Sequence, residues 1–202
     1  MAAVQAYQSQ TGDIGLYERA SDAELACRAV VEPSSFAALY QRYADRVFRH
    51  CYRKLGTREA AEDATSLVFT KALSAIGRFD SSRGTFASWL FSITNNVLTD
   101  QFRVERRYLA VADLPDPIDQ SQTPEEVAVA REQAGDLRSA LAKLAPRERG
   151  VIELRLAGLN STEIAQVLGC RKNTVAQAQH RAIGRLRTLL GSEVAQQGQH
   201  DV

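Results

Sequence analysis

The sequence predicts an all-α chain, with two small helical domains joined by an acidic extended linker and the C-terminal domain a helix-turn-helix. Three observations carry this. Apolar residues from Phe36 to Phe102 recur at steps of three and four, the period of a helix with one inward face. No stretch alternates convincingly at the period of a strand. Between two helical stretches, Pro115, Pro117 and Pro124 stand among Asp113, Asp116, Asp119, Glu125 and Glu126 with no base, a composition that extends rather than folds. The expected boundaries are a flexible extension at 1–20, a first domain at 21–107, the linker at 108–130, a second domain at 131–191 and a flexible tail at 192–202.

Within the first domain, Ser21-Asp22-Ala23-Glu24 is a capping signature that opens a helix to about Val31. Pro33 breaks that helix, and Ser34 or Ser35 is placed to cap the next. Phe36, Leu39, Tyr40, Tyr43, Val47, Phe48 and Tyr52 then mark a long amphipathic helix that Gly56-Thr57 ends. Ala60, Ala61, Ala64, Leu67, Val68, Ala72, Leu73 and Ile76 make another. Residues 77–84 (GRFDSSRG) read as a loop. Phe86, Trp89, Leu90, Ile93, Val97, Leu98 and Phe102 form a helix over 85–107. At this spacing Phe86 and Trp89 belong to the core rather than to a base-stacking surface.

Helical pattern resumes near Glu125, with Leu137, Leu141 and Leu144, and Pro146 starts a helix that Gly158 closes. The next stretch, NSTEIAQVLGCRKNTVAQAQHRAIGRLR at 160–187, reads as helix, tight turn and helix. Asn160 and Glu163 form a capping box. Ile164, Ala165 and Leu168 face inward, and Gly169 falls where the turn needs positive φ. Val175, Ala182, Ile183 and Leu186 make the buried side of the second helix. This is the layout of a DNA-reading helix-turn-helix, whose second helix leads with its N-terminal residues.

Formal net charge is only +1, yet its distribution is uneven. From Pro146 to Leu190 there are eight bases against three acids, Glu148, Glu153 and Glu163. A basic module after an acidic linker suits a polyanion at one end. Cys27, Cys51 and Cys170 are odd in number and far apart, which argues against a disulfide framework and points to a reducing cytosol. His50 beside Cys51 has no further ligands at zinc spacing, so no metal site is expected. No signal-peptide pattern opens the chain and no apolar run approaches the ~20 residues of a membrane span. Neither a nucleophilic triad, a P-loop nor a dinucleotide turn is present, and His50, His180 and His200 lack obvious partners, so no enzyme and no cofactor is expected.

Two segments resemble a known family. FAALYQRYADRVFRHCYRKLGTREAAEDATSLVFTKAL with RFDSSRGTFASWLFSITNNVLTDQFR is similar to the core- and promoter-binding domain of extracytoplasmic-function bacterial sigma factors. LRSALAKLAPRERGVIELRLAGLNSTEIAQVLGCRKNTVAQAQHRAIGRLR is similar to their second domain. Together, in the right order, the matches cover about Ser21 to Leu190. The resemblance implies a cytoplasmic protein, monomeric when free, that binds core RNA polymerase and promoter DNA and catalyses no reaction. It also leaves room for an anti-sigma partner. In the family the helix holding Ala61-Glu62-Asp63 docks on the clamp of the largest polymerase subunits. The implied contact residues are Glu62, Asp63, Ser66 and Leu67. The segment 86–103 faces the minus-10 element, and the loop before it takes a non-template base turned out of the stack. The helix-turn-helix reads the minus-35 element, and the linker runs toward the RNA exit path.

The chemistry of the residues agrees. A splayed base needs a pocket and a polar edge. Arg78, Asp80, Ser81, Ser82 and Arg83 offer such an edge on a loop expected to be flexible. On the next helix come Asn95, Asn96, Asp100 and Arg103, with Asn96, Asp100 and Arg103 on one face. Arg103, Arg106 and Arg107 suit phosphates. In the recognition helix Arg171 and Lys172 can pair with guanine and Gln177 with adenine, Asn173 and Thr174 lie beside them, and Arg181 is expected to meet phosphate. Two departures stand out. Ser66-Leu67 replaces the family's usual Gln-Glu. The recognition helix carries Arg171, Asn173 and Ala176-Gln177-Ala178 where the family commonly has Ser, Gly and Lys-Ser-Arg, which lowers its basic charge. The competing reading is a stand-alone helix-turn-helix regulator acting without polymerase, which predicts a dimer on a palindrome.

Overall fold

A computed structural model describes residues 20–108 and 139–197, with side chains described to Phe102 in the first stretch and to Leu189 in the second. The described residues are helical throughout apart from turns and short loops, and they divide into two compact units. The first carries residues 20–108 and the second most of residues 139–197. The N-terminal extension, the acidic linker after Tyr108 and the end of the tail lie outside the described residues.

The first unit has four helices: α1 (Asp22–Arg28), α2 (Pro33–Leu55), α3 (Arg58–Ala75) and α4 (Phe86–Tyr108). Ser21 caps α1 as the sequence indicates. Its hydroxyl accepts from the Glu24 amide at 3.3 Å, while the Glu24 carboxylate accepts from the Ser21 amide at 2.8 Å. Asp22 then ties α1 to α2, accepting from Arg42 Nη1 at 2.7 Å and from the Tyr43 hydroxyl. α1 stops at Arg28, short of Val31.

The start of α2 differs from expectation. Pro33 does not merely break the chain; it is the first helical residue, where its fixed φ and missing N–H cost nothing. The cap position is therefore Glu32, and the Ser34 and Ser35 hydroxyls donate to its carboxylate at 3.2 and 3.1 Å. Gly56, at φ 80°, closes α2, and the Thr57 hydroxyl caps α3 by accepting from the Ala60 amide at 3.3 Å. α3 presents Ala61, Ala64, Val68 and Ala72, all fully buried, so its backbone packs closely against its neighbours. Leu39, Val47, Cys51, Leu90 and Phe91 complete this core. Burial pushes the Cys51 thiol up to about 11. His50, also buried, packs edge-on against Phe91 with centroids 5.6 Å apart.

The second unit has a short helical stretch at 139–142, then α5 (Pro146–Leu156), α6 (Ser161–Val167) and α7 (Lys172–Gln197). Leu141, Leu144, Val151, Leu154, Leu159, Ile164 and Val175 fill its core. The buried stripe of α7 is Val175, Ala178 and Ala182, with Leu186 partly buried. Ile183, expected inside, is 36% exposed; Ala178 takes the inward position at the three-residue step from Val175. α7 also continues to Gln197, into the stretch 192–202 expected to be a flexible tail. A single glycine such as Gly191 costs a helix about 1 kcal/mol but does not stop it, and Ala195, Gln196 and Gln197 are adequate helix formers.

Candidate functional site

Three surfaces carry the residues singled out from the sequence. The first lies on α3. With Ala61, Ala64, Thr65 and Val68 buried, Glu62, Asp63, Ser66 and Leu67 stand together on the opposite, exposed side. Leu67 is 41% exposed, a large apolar side chain in the middle of that strip. Glu62 accepts from Arg58 Nε at 2.8 Å, an exposed helical pair of small energetic worth.

The second surface is the loop between α3 and α4. A short 3₁₀ turn at Ile76–Arg78 leads into it. Arg78, Asp80, Ser81, Ser82 and Arg83 are all exposed. The loop is internally braced, contrary to the flexible backbone expected. Asp80 accepts from the Ser82 amide at 2.9 Å and from the Ser82 hydroxyl at 2.7 Å, and the Arg83 amide donates to the Asp80 carbonyl at 3.1 Å. Phe79, which the sequence reading passed over, anchors the loop from below. Its ring meets Phe86 edge-on at 5.7 Å and Trp89 at 5.6 Å. The only sequence signal for it was an aromatic residue inside an otherwise polar loop. Across the cluster, Phe86 is buried at 1% exposure and Trp89 is half-buried, so the core assignment holds fully for Phe86 and in part for Trp89.

The two hydrogen bonds from Ser82 hold the Asp80 carboxyl below its ordinary value of 3.8. A carboxyl depressed on folding favours the braced loop above its unfolded value, and that contribution is lost as pH falls through the lower folded one. An NMR titration of the Asp80 side chain is therefore expected to give a midpoint under 3.8, with the Ser82 amide shift moving in step. Ser82→Ala returns the midpoint toward the ordinary value; a wild-type midpoint at or above it would show that the turn is not formed in solution.

Beyond the loop, the Thr85 hydroxyl caps α4, accepting from the Ser88 amide at 3.2 Å. Asn96 and Asp100 are exposed one turn apart, and Asn95 is half-buried. Arg103, Arg106 and Arg107 fall on the last turns of α4, which runs unbroken to Tyr108.

The third surface is the helix-turn-helix α6–α7. The Asn160 side-chain oxygen accepts from the amides of Thr162 and Glu163 at 2.9 and 3.1 Å, and the Glu163 carboxylate accepts from the Asn160 amide at 2.8 Å. Gly169 has φ 59°, and the Cys170 amide closes the turn onto the Ala165 carbonyl at 2.9 Å. α7 begins at Lys172, which puts Arg171 at the cap position. Arg171, Lys172, Asn173 and Gln177 are exposed and Thr174 is partly so.

Fewer of this unit's bases are free to meet DNA than its composition suggests. Arg149 donates to the carbonyls of Leu141, at 2.9 Å, and Ala142. Arg155 reaches the Leu159 carbonyl at 3.0 Å, the Ser161 hydroxyl at 2.7 Å and Gln179 Oε1 at 2.9 Å, so one guanidinium ties α5, the start of α6 and α7 together. Arg181 Nε and Arg185 Nη1 both donate to Glu148, at 3.2 and 2.8 Å. Four of the eight bases thus serve the fold, and counting charges along the chain could not separate them from the rest. Arg181, expected to meet phosphate, is one of these.

Residues 39–108 match the Sigma-70 region 2 family, and residues 134–186 match Sigma-70, region 4. The chain is 31% identical over 152 residues to the ECF RNA polymerase sigma factor ShbA of Streptomyces griseus, spanning 70% of this chain and 80% of that one. This chain belongs to the extracytoplasmic-function sigma factors. The sigma factor is also 33% identical over 162 residues to BldN of Streptomyces coelicolor, covering 79% of itself but only 61% of that relative's length. Among solved structures it is similar to CnrH, seen in complex with the cytosolic domain of CnrY. There the TM-score is 0.65 at 26% identity, over 85% of this chain and 97% of that one. The region 2 match contains the α3 strip, the braced loop and α4. The region 4 match contains the helix-turn-helix. Among the described residues, no helix of the sigma factor is long and apolar enough to cross a membrane.

Proposed function

We propose that this sigma factor binds core RNA polymerase and directs promoter-specific initiation in the cytoplasm, as a monomer when free. The observation that supports this most is the pairing, in one chain, of an exposed mixed polar and apolar strip on α3 and a braced polar loop with an exposed helix-turn-helix start. In this reading Glu62, Asp63, Ser66 and Leu67 meet the polymerase clamp. Arg78, Asp80, Ser81, Ser82 and Arg83, with Asn95, Asn96, Asp100, Arg103, Arg106 and Arg107, engage the opened minus-10 element. Arg171, Lys172, Asn173, Thr174 and Gln177 read the minus-35 element. A regulatory protein partner belongs to the reading too, as CnrH was solved with the cytosolic domain of CnrY. A stand-alone helix-turn-helix regulator leaves the region 2 match over residues 39–108 without a role.

Run-off transcription with purified bacterial core polymerase on a promoter library tests the proposal. Specific transcripts should depend on the chain, and failure to bind core at low salt would overturn the reading. With minus-35 positions randomised, Arg171→Ala holoenzyme is expected to lose about 1–3 kcal/mol and to relax preference at one position. An unchanged preference would mean that another face of α7 meets the DNA.

A further inference from the structure

We propose that Glu148 limits the sequence-independent DNA affinity of α7 by holding Arg181 away from phosphate. This rests on the reading of α7 as the minus-35 helix. The Glu148 side chain is 5% exposed, and the Arg181 and Arg185 side chains that it binds are each 54% exposed. The carboxylate is therefore the fixed partner and the arginines are drawn to it. Glu148 lies in the first turn of α5, where the helix's partial positive charge favours an anion. Arg181 and Arg185 are one turn apart on α7, so one carboxylate engages both at once, Nε of the first at 3.2 Å and Nη1 of the second at 2.8 Å.

Position makes the hold on Arg181 consequential. Arg181 lies nine residues after Lys172, about 14 Å along the axis. The major groove is roughly 12 Å wide, so a helix entering by its start brings that residue to the groove's edge, where the phosphates run. Arg185 is about 20 Å along, beyond the edge. An unengaged guanidinium at Arg181 would bind the backbone of any duplex. Glu148 instead occupies its Nε–H, and Arg181 and Arg185 line one groove with Lys143 and His180. The outcome is a recognition helix whose reading end is exposed while its mid-helix cation is tethered to a buried carboxylate of its own domain, so the free chain binds DNA in general only weakly.

The test is the salt dependence of binding by the full chain to a duplex with no promoter sequence, by fluorescence anisotropy. Glu148→Gln keeps the side chain's size and removes its charge. It is expected to steepen the slope of log K against log salt by about 0.9, one additional phosphate, and to tighten binding on the order of five-fold at 0.15 M salt. Adding Arg181→Gln to that variant should cost the whole gain, whereas Arg181→Gln alone should cost much less. A Glu148→Gln chain that melts like wild type but keeps its slope overturns the proposal. If Glu148→Gln does not fold, Arg181→Gln alone decides: a slope flatter by about one unit shows that Arg181 already binds phosphate in the native chain. Failure of the minus-35 reading would look different, since wild-type holoenzyme would then show no minus-35 preference at all.

Discussion

Replacing Phe86 by alanine is expected to destabilise the first unit severely. Phe86 is 1% exposed and sits where three rings converge. Tyr43 of α2 lies at 5.3 Å, Phe79 of the loop at 5.7 Å and Trp89 at 5.5 Å between centroids. Truncating a buried phenylalanine costs about 3–5 kcal/mol, a large share of the roughly 5–15 kcal/mol that a domain has in total. The loss also removes the floor of the polar loop, because Phe79 would keep only Trp89 as an aromatic neighbour. Urea unfolding followed by Trp89 fluorescence measures it, since Trp89 is the single tryptophan of the chain. A midpoint equal to wild type would mean that the aromatic cluster is not a keystone. Trp89→Ala, by contrast, should cost less, because Trp89 is only half-buried.

Charge reversal at Asp63 should abolish binding to core polymerase while leaving the fold intact. Asp63 is exposed on the outer side of α3, away from the buried Ala64 and Val68, so arginine fits there without repacking. The change is a swing of two charges beside Leu67, at the centre of the proposed contact. Loss of a close charge pair together with new repulsion costs several kcal/mol at an interface, equivalent to at least a hundred-fold in affinity. Circular dichroism should match wild type, and core binding by gel filtration or biolayer interferometry should be lost. Wild-type binding by Asp63→Arg would show that the clamp meets a different face.

Much of this architecture was legible because the relevant rules are local. Ser21–Glu24 and Asn160–Glu163 are capping boxes whose two hydrogen bonds close within one turn, and Gly56 and Gly169 stand where positive φ is required. The exposure of Glu62, Asp63, Ser66 and Leu67 likewise follows from the helical period once Ala61, Ala64 and Val68 are assigned inward. What escaped the sequence depends on partners distant along the chain. Arg155 meets Gln179, Arg181 and Arg185 meet Glu148, and Asp22 meets Arg42 and Tyr43, across separations that no periodicity encodes. Asp80 is a subtler case. Its partner, Ser82, is only two residues away, yet Asp-Ser-Ser occurs in mobile and ordered loops alike. The bonds from Ser82 and the Arg83 amide to Asp80, together with the ring contacts of Phe79, distinguish the two.

The reach of Arg155 has an evolutionary consequence. Its grip on α7 falls at Gln179, and the first buried residue of that helix is Val175. The exposed positions 171–173, 176 and 177 therefore lie outside the anchoring contacts of the domain. Mutation can rewrite them without removing a buried contact, so in the proposed minus-35 reading the promoter vocabulary of the chain is free to drift while its scaffold stays put. For an engineer the same separation offers a cassette: these five positions could be transplanted from another sigma factor to retarget transcription, with Arg155, Gln179 and Val175 left untouched as the socket.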